Sequence, residues 1–89
     1  MIEFDAAKRE TTLFARGLDM ARANEIFDSP HLDQMDYRRN YGEVRVFSFG
    51  HLDSRPVVVV WTYRGNKRRI ISLRRANERE IKKYQARLG

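Results

Sequence analysis

The sequence predicts a small α+β domain: an antiparallel sheet of three to four strands, with helices before it and one helix after it. Three observations carry that prediction. Met20, Ala23, Ile26 and Phe27 form an apolar stripe at helical spacing in the first third of the chain. The β-branched run PVVVVWTY, residues 56–63, is apolar on both faces and reads as a central strand. Helical spacing returns near the end, where Ile81, Tyr84 and Leu88 share one side.

The elements follow in order. Residues 1–4 suit a short first strand. Asp5 is a helix N-cap, residues 6–16 are helical, and Gly17 supplies the left-handed stop. Asp19 caps a second helix, which Asp28-Ser29-Pro30 terminates. Residues 31–39 are polar and suit at most a weak strand, and Asn40-Tyr41-Gly42 reads as a turn. Residues 43–50 alternate, Val44 and Val46 against Arg45, Phe47 and Phe49. The strand over 55–64 turns at Gly65-Asn66 into another over 68–75. Asn77 and Glu80 then form a capping box that opens the last helix. Short connections among the late strands require antiparallel pairing. The two early helices are expected on one face of the sheet, with the last helix a candidate for the same face. The other face is then left partly open to the arginines.

Eighty-nine residues suit a single domain spanning 1–89, and the apolar share of 42% with ten aromatics favours a folded globule. Cysteine is absent, which removes disulfides, thiolate metal sites and a cysteine nucleophile. The N-terminus lacks the basic-then-apolar form of a signal peptide, and no apolar run approaches the ~18 residues of a membrane helix. A cytoplasmic location is expected.

Charge is unevenly spread. Residues 1–37 carry four basic and eight acidic side chains, whereas residues 38–89 carry fourteen basic and four acidic. The net +6 therefore arises in the second part of the chain, and fourteen of the eighteen cations are arginine. The guanidinium fork suits phosphate and stacks on bases, so a polyanion, with nucleic acid first, is the expected partner. The plainer reading is a solvated basic face with no partner.

The catalytic inventory is short. No Gly-rich phosphate loop or metal-ligand spacing occurs, and the serines lack a His/Asp setting, so no metal and no cofactor is expected. His31 follows a proline and reads as polar surface. His51 ends a strand and is a candidate general acid or base, against the plainer reading of a packing residue. Tyr37, Tyr41, Tyr63 and Tyr84 lie among arginines, the last two equally suited to the core. Arginines with one proton-carrying group suffice for RNA cleavage, because RNA supplies its own 2′-OH nucleophile.

The stretch Arg69-Ile70-Ile71-Ser72-Leu73-Arg74-Arg75-Ala76, followed by Glu80 and Tyr84, resembles the C-terminal signature of the BrnT family of toxins. Phe4-Asp5 with Lys8, Gly17-Leu18-Asp19, Tyr41-Gly42-Glu43 with Arg45, Gly50 with Leu52, and Arg55 before the valine run extend the likeness over nearly the whole chain. The resemblance implies a RelE-like fold and a metal-independent endoribonuclease that inhibits translation. It also implies a type II toxin–antitoxin pair, with a BrnA-type antitoxin as partner and operator DNA reached only through that antitoxin. The catalytic set it implies is Arg45, Arg74, Arg75 and Tyr84, to which His51 is added as a proton carrier. RNA binding is expected of Arg16, Arg64, Arg69, Arg79 and Lys83. Ser72 and Ala76 read as packing or strand-end positions, and Glu80 chiefly as the helix-cap partner. The family's N-x-x-K-H-G at the end of the first helix is replaced here by Thr12-Leu13-Phe14-Ala15-Arg16-Gly17. Arg16 there is able to hold phosphate but is a poor proton shuttle. Two rival readings use the same basic surface: a non-catalytic nucleic-acid-binding module, and an assembly subunit for an acidic protein.

Overall fold

The computed structural model describes residues 1–38 and 40–88. Asp5 and Gly17 delimit the first helix as their chemistry requires. Asp5 Oδ1 accepts from the backbone N–H of Ala7 at 2.8 Å and of Lys8 at 3.1 Å, opening α1 (Ala6–Arg16). Gly17 takes φ 68° and its N–H closes the helix on the Leu13 carbonyl. Asp19 caps a single 3₁₀ turn (Met20–Arg22) that leads directly into α2 (Ala23–Phe27). The same carboxylate receives both forks of Arg9, at 2.7 and 2.9 Å, tying α1 to the next turn.

The sheet has five strands, not the three to four expected. β1 (Ile2–Glu3), β2 (Leu32–Met35), β3 (Arg45–Leu52), β4 (Arg55–Arg64) and β5 (Lys67–Arg75) lie in the order β1-β5-β4-β3-β2. β1 pairs with β5 in parallel and every other pair is antiparallel. β2 is hard to see in sequence because an LDQM edge strand only half-buries alternate residues and shows no apolar run. The turn expected at 40–42 lies between β2 and β3, while Arg39, the end of the polar stretch, lies outside the described residues.

The last helix, α3 (Glu78–Leu88), lies on the opposite face from the early helical segment, which corrects the shared face considered above. The valine run explains this. Val57, Val59 and Trp61 point to one face beside Leu73 of β5, where Leu18, Met20, Ala23 and Ile26 cover them. Val58 and Val60 point to the other, where Phe49, Ile81, Tyr84 and Leu88 pack. A strand apolar on both faces needs a cover on both, and each buried valine is stabilised by roughly 1.5–3 kcal/mol relative to exposure. At Gly50 the first layer approaches the strand closely: a Cβ there would lie 2.7 Å from Ile26 Cγ2. α1, by contrast, buries none of its residues fully.

On the α3 face, register aligns the strands into rows. Leu32, Phe49, Val58 and Arg74 form one, and Gln34, Phe47, Val60 and Ser72 the next. Arg45, Thr62 and Arg69 continue beyond them. An apolar floor thus runs out into arginine at the β5 side.

Candidate functional site

Arg74 is the centre of the site. Its guanidinium forks onto Glu80, Nη1 to Oε1 and Nη2 to Oε2, both at 2.8 Å. Glu80 also accepts from the Asn77 N–H at 2.9 Å, while its own N–H donates to Asn77 Oδ1 at 2.8 Å. The capping box predicted from sequence therefore forms, and its glutamate does a second task by aiming an arginine. The Glu80 side chain is only 13% exposed. The Arg74 guanidinium holds its carboxyl below the usual range, and the carboxylate in turn raises Arg74. The pair fixes an always-charged guanidinium at the end of β5.

A second arginine converges on the same cavity, and sequence reasoning missed it. Just after β2, Arg38 forks onto Asp36, Nε to Oδ1 and Nη2 to Oδ2 at 2.8 Å each. Tyr41 adds its hydroxyl to Asp36 Oδ2 at 3.3 Å. Asp36, Arg38, Arg74 and Glu80 all line a cavity of about 250 Å³, with Phe47 and Tyr84 as its aromatic wall. Tyr37, at its mouth, is 83% exposed, an available stacking ring. No motif announces Asp36-Tyr37-Arg38 in the sequence. The one available signal was an aromatic set between opposite charges in a stretch without periodicity.

The expected residues divide by position. Tyr84 is buried: it packs on Phe47 and Phe49, and its hydroxyl donates to Gln34 Oε1 at 3.0 Å, so a core tyrosine also lines the cavity. Arg75 pairs in register with Val57, on the opposite face from Arg74, because successive strand residues alternate. The two neighbours therefore do not form one cluster. His51 is hydrogen-bonded through Nε2 to Gln85 Oε1 at 2.8 Å and does not line the cavity. Arg45 stacks 3.8 Å above the Tyr41 ring and pairs with Glu43, adjoining the Asp36 loop. The Arg45 carbonyl also accepts from the Asp36 N–H. Arg64 is exposed opposite Lys67 at the β4–β5 turn, and Arg69 follows in the row of Arg45. Arg79 and Lys83 are exposed on α3, Lys83 lying 5.3 Å from the Tyr84 ring centre. Arg16 does not line this cavity and donates from α1 to the Leu73 carbonyl.

The ion pairs predict an acid response. Asp36 is nearly enclosed and its carboxyl is lowered to about 2, first by the Arg38 fork. A depressed acid contributes stability above its unfolded value and loses it as pH falls through the folded one. Wild type is thus expected to exceed Asp36→Asn in stability by an amount on the order of 1 kcal/mol at neutral pH. That gap should close as pH drops from about 4 towards 2, as read by urea melts at each pH. A gap that persists undiminished at pH 2 would discard the ionic account.

No helix of the described residues is long and apolar enough to cross a membrane. Against curated proteins the sequence has no match. A family model does match, that of the ribonuclease toxin BrnT of type II toxin–antitoxin systems, and it aligns with residues 4–80. That span begins before α1 and ends at Glu80, taking in Arg38, Arg74 and the whole sheet after its first residues. The chain belongs to the BrnT family, the ribonuclease toxins of type II toxin–antitoxin systems.

Proposed function

We propose that this chain is a metal-independent, RelE-like endoribonuclease that inhibits translation and binds RNA across the cavity between α3 and the loop after β2. The observation that supports this reading best is the pair Arg38 and Arg74, each forked onto its own carboxylate beside an aromatic-walled cavity. Two fixed guanidiniums beside Phe47, Tyr37 and Tyr84 suit a phosphodiester with an unstacked base on each side.

The reaction uses the RNA's own 2′-oxygen. It attacks phosphorus and gives its proton to a base; the bond to the 5′-oxygen breaks, and that oxygen takes a proton. A 2′,3′-cyclic phosphate and a 5′-hydroxyl result. Arg74 and Arg38 stabilise the extra negative charge on the phosphoryl oxygens as it develops. Arg45 and Arg69, two rows on, with Arg64 beyond them, extend the cationic track for the flanking backbone, while Arg79 and Lys83 border it from α3. Asp36, Glu80 and Tyr84 line the cavity and carry groups able to move a proton. The cell's means of silencing this activity is a BrnA-type antitoxin, through which the pair reaches operator DNA.

One observation favours a second reading, binding without scission. Glu80, Asp36, Tyr84 and His51 all have hydrogen-bond partners at rest. A dinucleotide-length fluorescent RNA separates the two. The purified chain is expected to cut it in excess EDTA and leave a cyclic phosphate, identified by mass. Salt-sensitive binding with intact RNA would establish the second reading instead, and cleavage abolished by EDTA would refute metal independence.

A further inference from the structure

The side of β5 away from β4 is open along its second half. β1 covers this edge only at Arg68 and Arg69, and among the described residues no strand follows it. Two carbonyls further along, Ile71 and Leu73, accept side-chain cations instead: Lys8 Nζ at 3.2 Å and Arg16 Nη1 at 2.8 Å. Both cations come from α1. Their acceptors are two residues apart, the repeat at which a neighbouring strand would bond to an edge.

Beside that edge lies a cavity of about 450 Å³, larger than the one at Arg74. Ala7, Thr11 and Thr12 of α1 form one wall, Ile71 and Ser72 the other, and buried Met20 the floor. Its lining carries two cations, Lys8 and Arg16, and no carboxylate. α1 itself has no buried residue, and Phe14, one heptad beyond Ala7 on the same side of the helix, is 95% exposed. Leu13 is 42% exposed. An amphipathic helix with a bare phenylalanine, next to an unpaired edge, is a surface that awaits a partner.

We infer that the β5 edge at Ile71–Leu73, with the α1 groove beside it, receives an extended acidic segment of the antitoxin. This inference rests on the antitoxin partnership of the proposed function. A polypeptide strand offers an N–H at every second residue, which the two carbonyls require, whereas an RNA backbone offers none. On docking, Lys8 and Arg16 leave the carbonyls and pair with the segment's carboxylates. An apolar side chain of the segment enters the groove over Met20. A second copy of this chain is a poor occupant, since it would set two positive grooves against each other. Until the partner arrives, the two cations blunt the edge against unwanted pairing.

Ala7→Trp and Thr12→Trp fill the groove from exposed or half-exposed helix positions that the RNA site does not use. The test co-expresses the chain with the protein encoded beside its gene and measures the affinity of the purified pair. Each groove variant is expected to bind at least ten-fold more weakly than wild type, with an unchanged melting temperature and unchanged RNA cleavage. In cells it should escape neutralisation. Arg74→Ala should retain wild-type affinity. Amide exchange in the wild-type pair should show new protection over residues 70–74 and α1, and the protected segment of the partner should be acidic. Groove variants that bind as tightly as wild type, protection centred on α3 and residues 34–38, or self-association of the chain through this edge would each overturn the inference. If wild type binds no such protein, the antitoxin reading falls with it. If wild type binds the protein but cleaves no RNA, the docking inference stands and the ribonuclease reading alone fails.

Discussion

Replacing Arg74 by alanine is expected to slow RNA cleavage by about a hundred-fold or more while leaving the domain folded. The size of the effect follows from the fork. Glu80 holds the guanidinium by two bonds of 2.8 Å on a strand that is itself packed in the sheet, so little reorganisation is needed when charge develops on phosphate. Arg74→Lys keeps the charge but not the two-pronged geometry, and should fall between alanine and wild type. The alanine variant leaves Glu80 with only its backbone donor at Asn77, at a cost of roughly 1–3 kcal/mol in stability. A melting curve separates that loss from the catalytic one, because cleavage is measured on the folded fraction. Glu80→Gln supplies the remaining control: it keeps the acceptor oxygen for the cap, weakens the fork, and is expected to fall short of the alanine defect. Single-turnover cleavage within about three-fold of wild type for Arg74→Ala would remove this arginine from the reaction. The same variant distinguishes the two arginines, since Arg75 faces the other side of the sheet and its replacement should leave single-turnover rates nearly untouched.

Local chemistry was the legible part of this chain. Asp5, Gly17, Asn77 and Glu80 delimit their helices through hydrogen bonds that depend on neighbours two to four residues away, and all four read correctly. The valine run likewise declares a two-sided central strand. Two covered faces require helices on both, which sets α3 apart from the early segment that carries Met20, Ala23 and Ile26. β2 was faint because an edge strand with one face exposed carries only two half-buried positions in four. The site was legible in its β5 part and illegible in the rest. Arg74 lies in a recognisable signature, but Arg38 meets it only through the β2–β3 pairing and the passage of α3 across four strands, contacts that no spacing records. Arg74 and Arg75 look like a cluster in sequence, and strand alternation parts them.

Phe49→Ala is expected to be the most destabilising single truncation on the α3 face, by about 3–5 kcal/mol. Phe49 is fully buried on β3, in a row with Leu32 and Val58, and its ring meets Tyr84 at 5.6 Å and His51 at 5.8 Å between centroids. The space cannot close easily, because the sheet beneath is held by strand pairing on both sides and α3 is pinned at its start by the capping box. A domain of this size has a total stability of only about 5–15 kcal/mol, so the variant should melt tens of degrees below wild type and be partly unfolded at room temperature. Tyr84→Phe is the informative comparison. It keeps the ring packing and loses only the hydroxyl bond to Gln34, for roughly 0.5–1.5 kcal/mol. Function should follow differently in the two. Phe49 anchors the helix that carries Glu80 to Arg74, so its loss should lower cleavage in proportion to the unfolded fraction and loosen the Arg74 fork in what remains folded. Tyr84→Phe should change the rate only if the hydroxyl moves a proton, and then without a matching loss of stability. Denaturant melts followed by both fluorescence and cleavage decide the matter: a Phe49→Ala protein with wild-type midpoint would show that α3 is not held by this core, and the support of the Arg74 site would have to be sought in the ion pair alone.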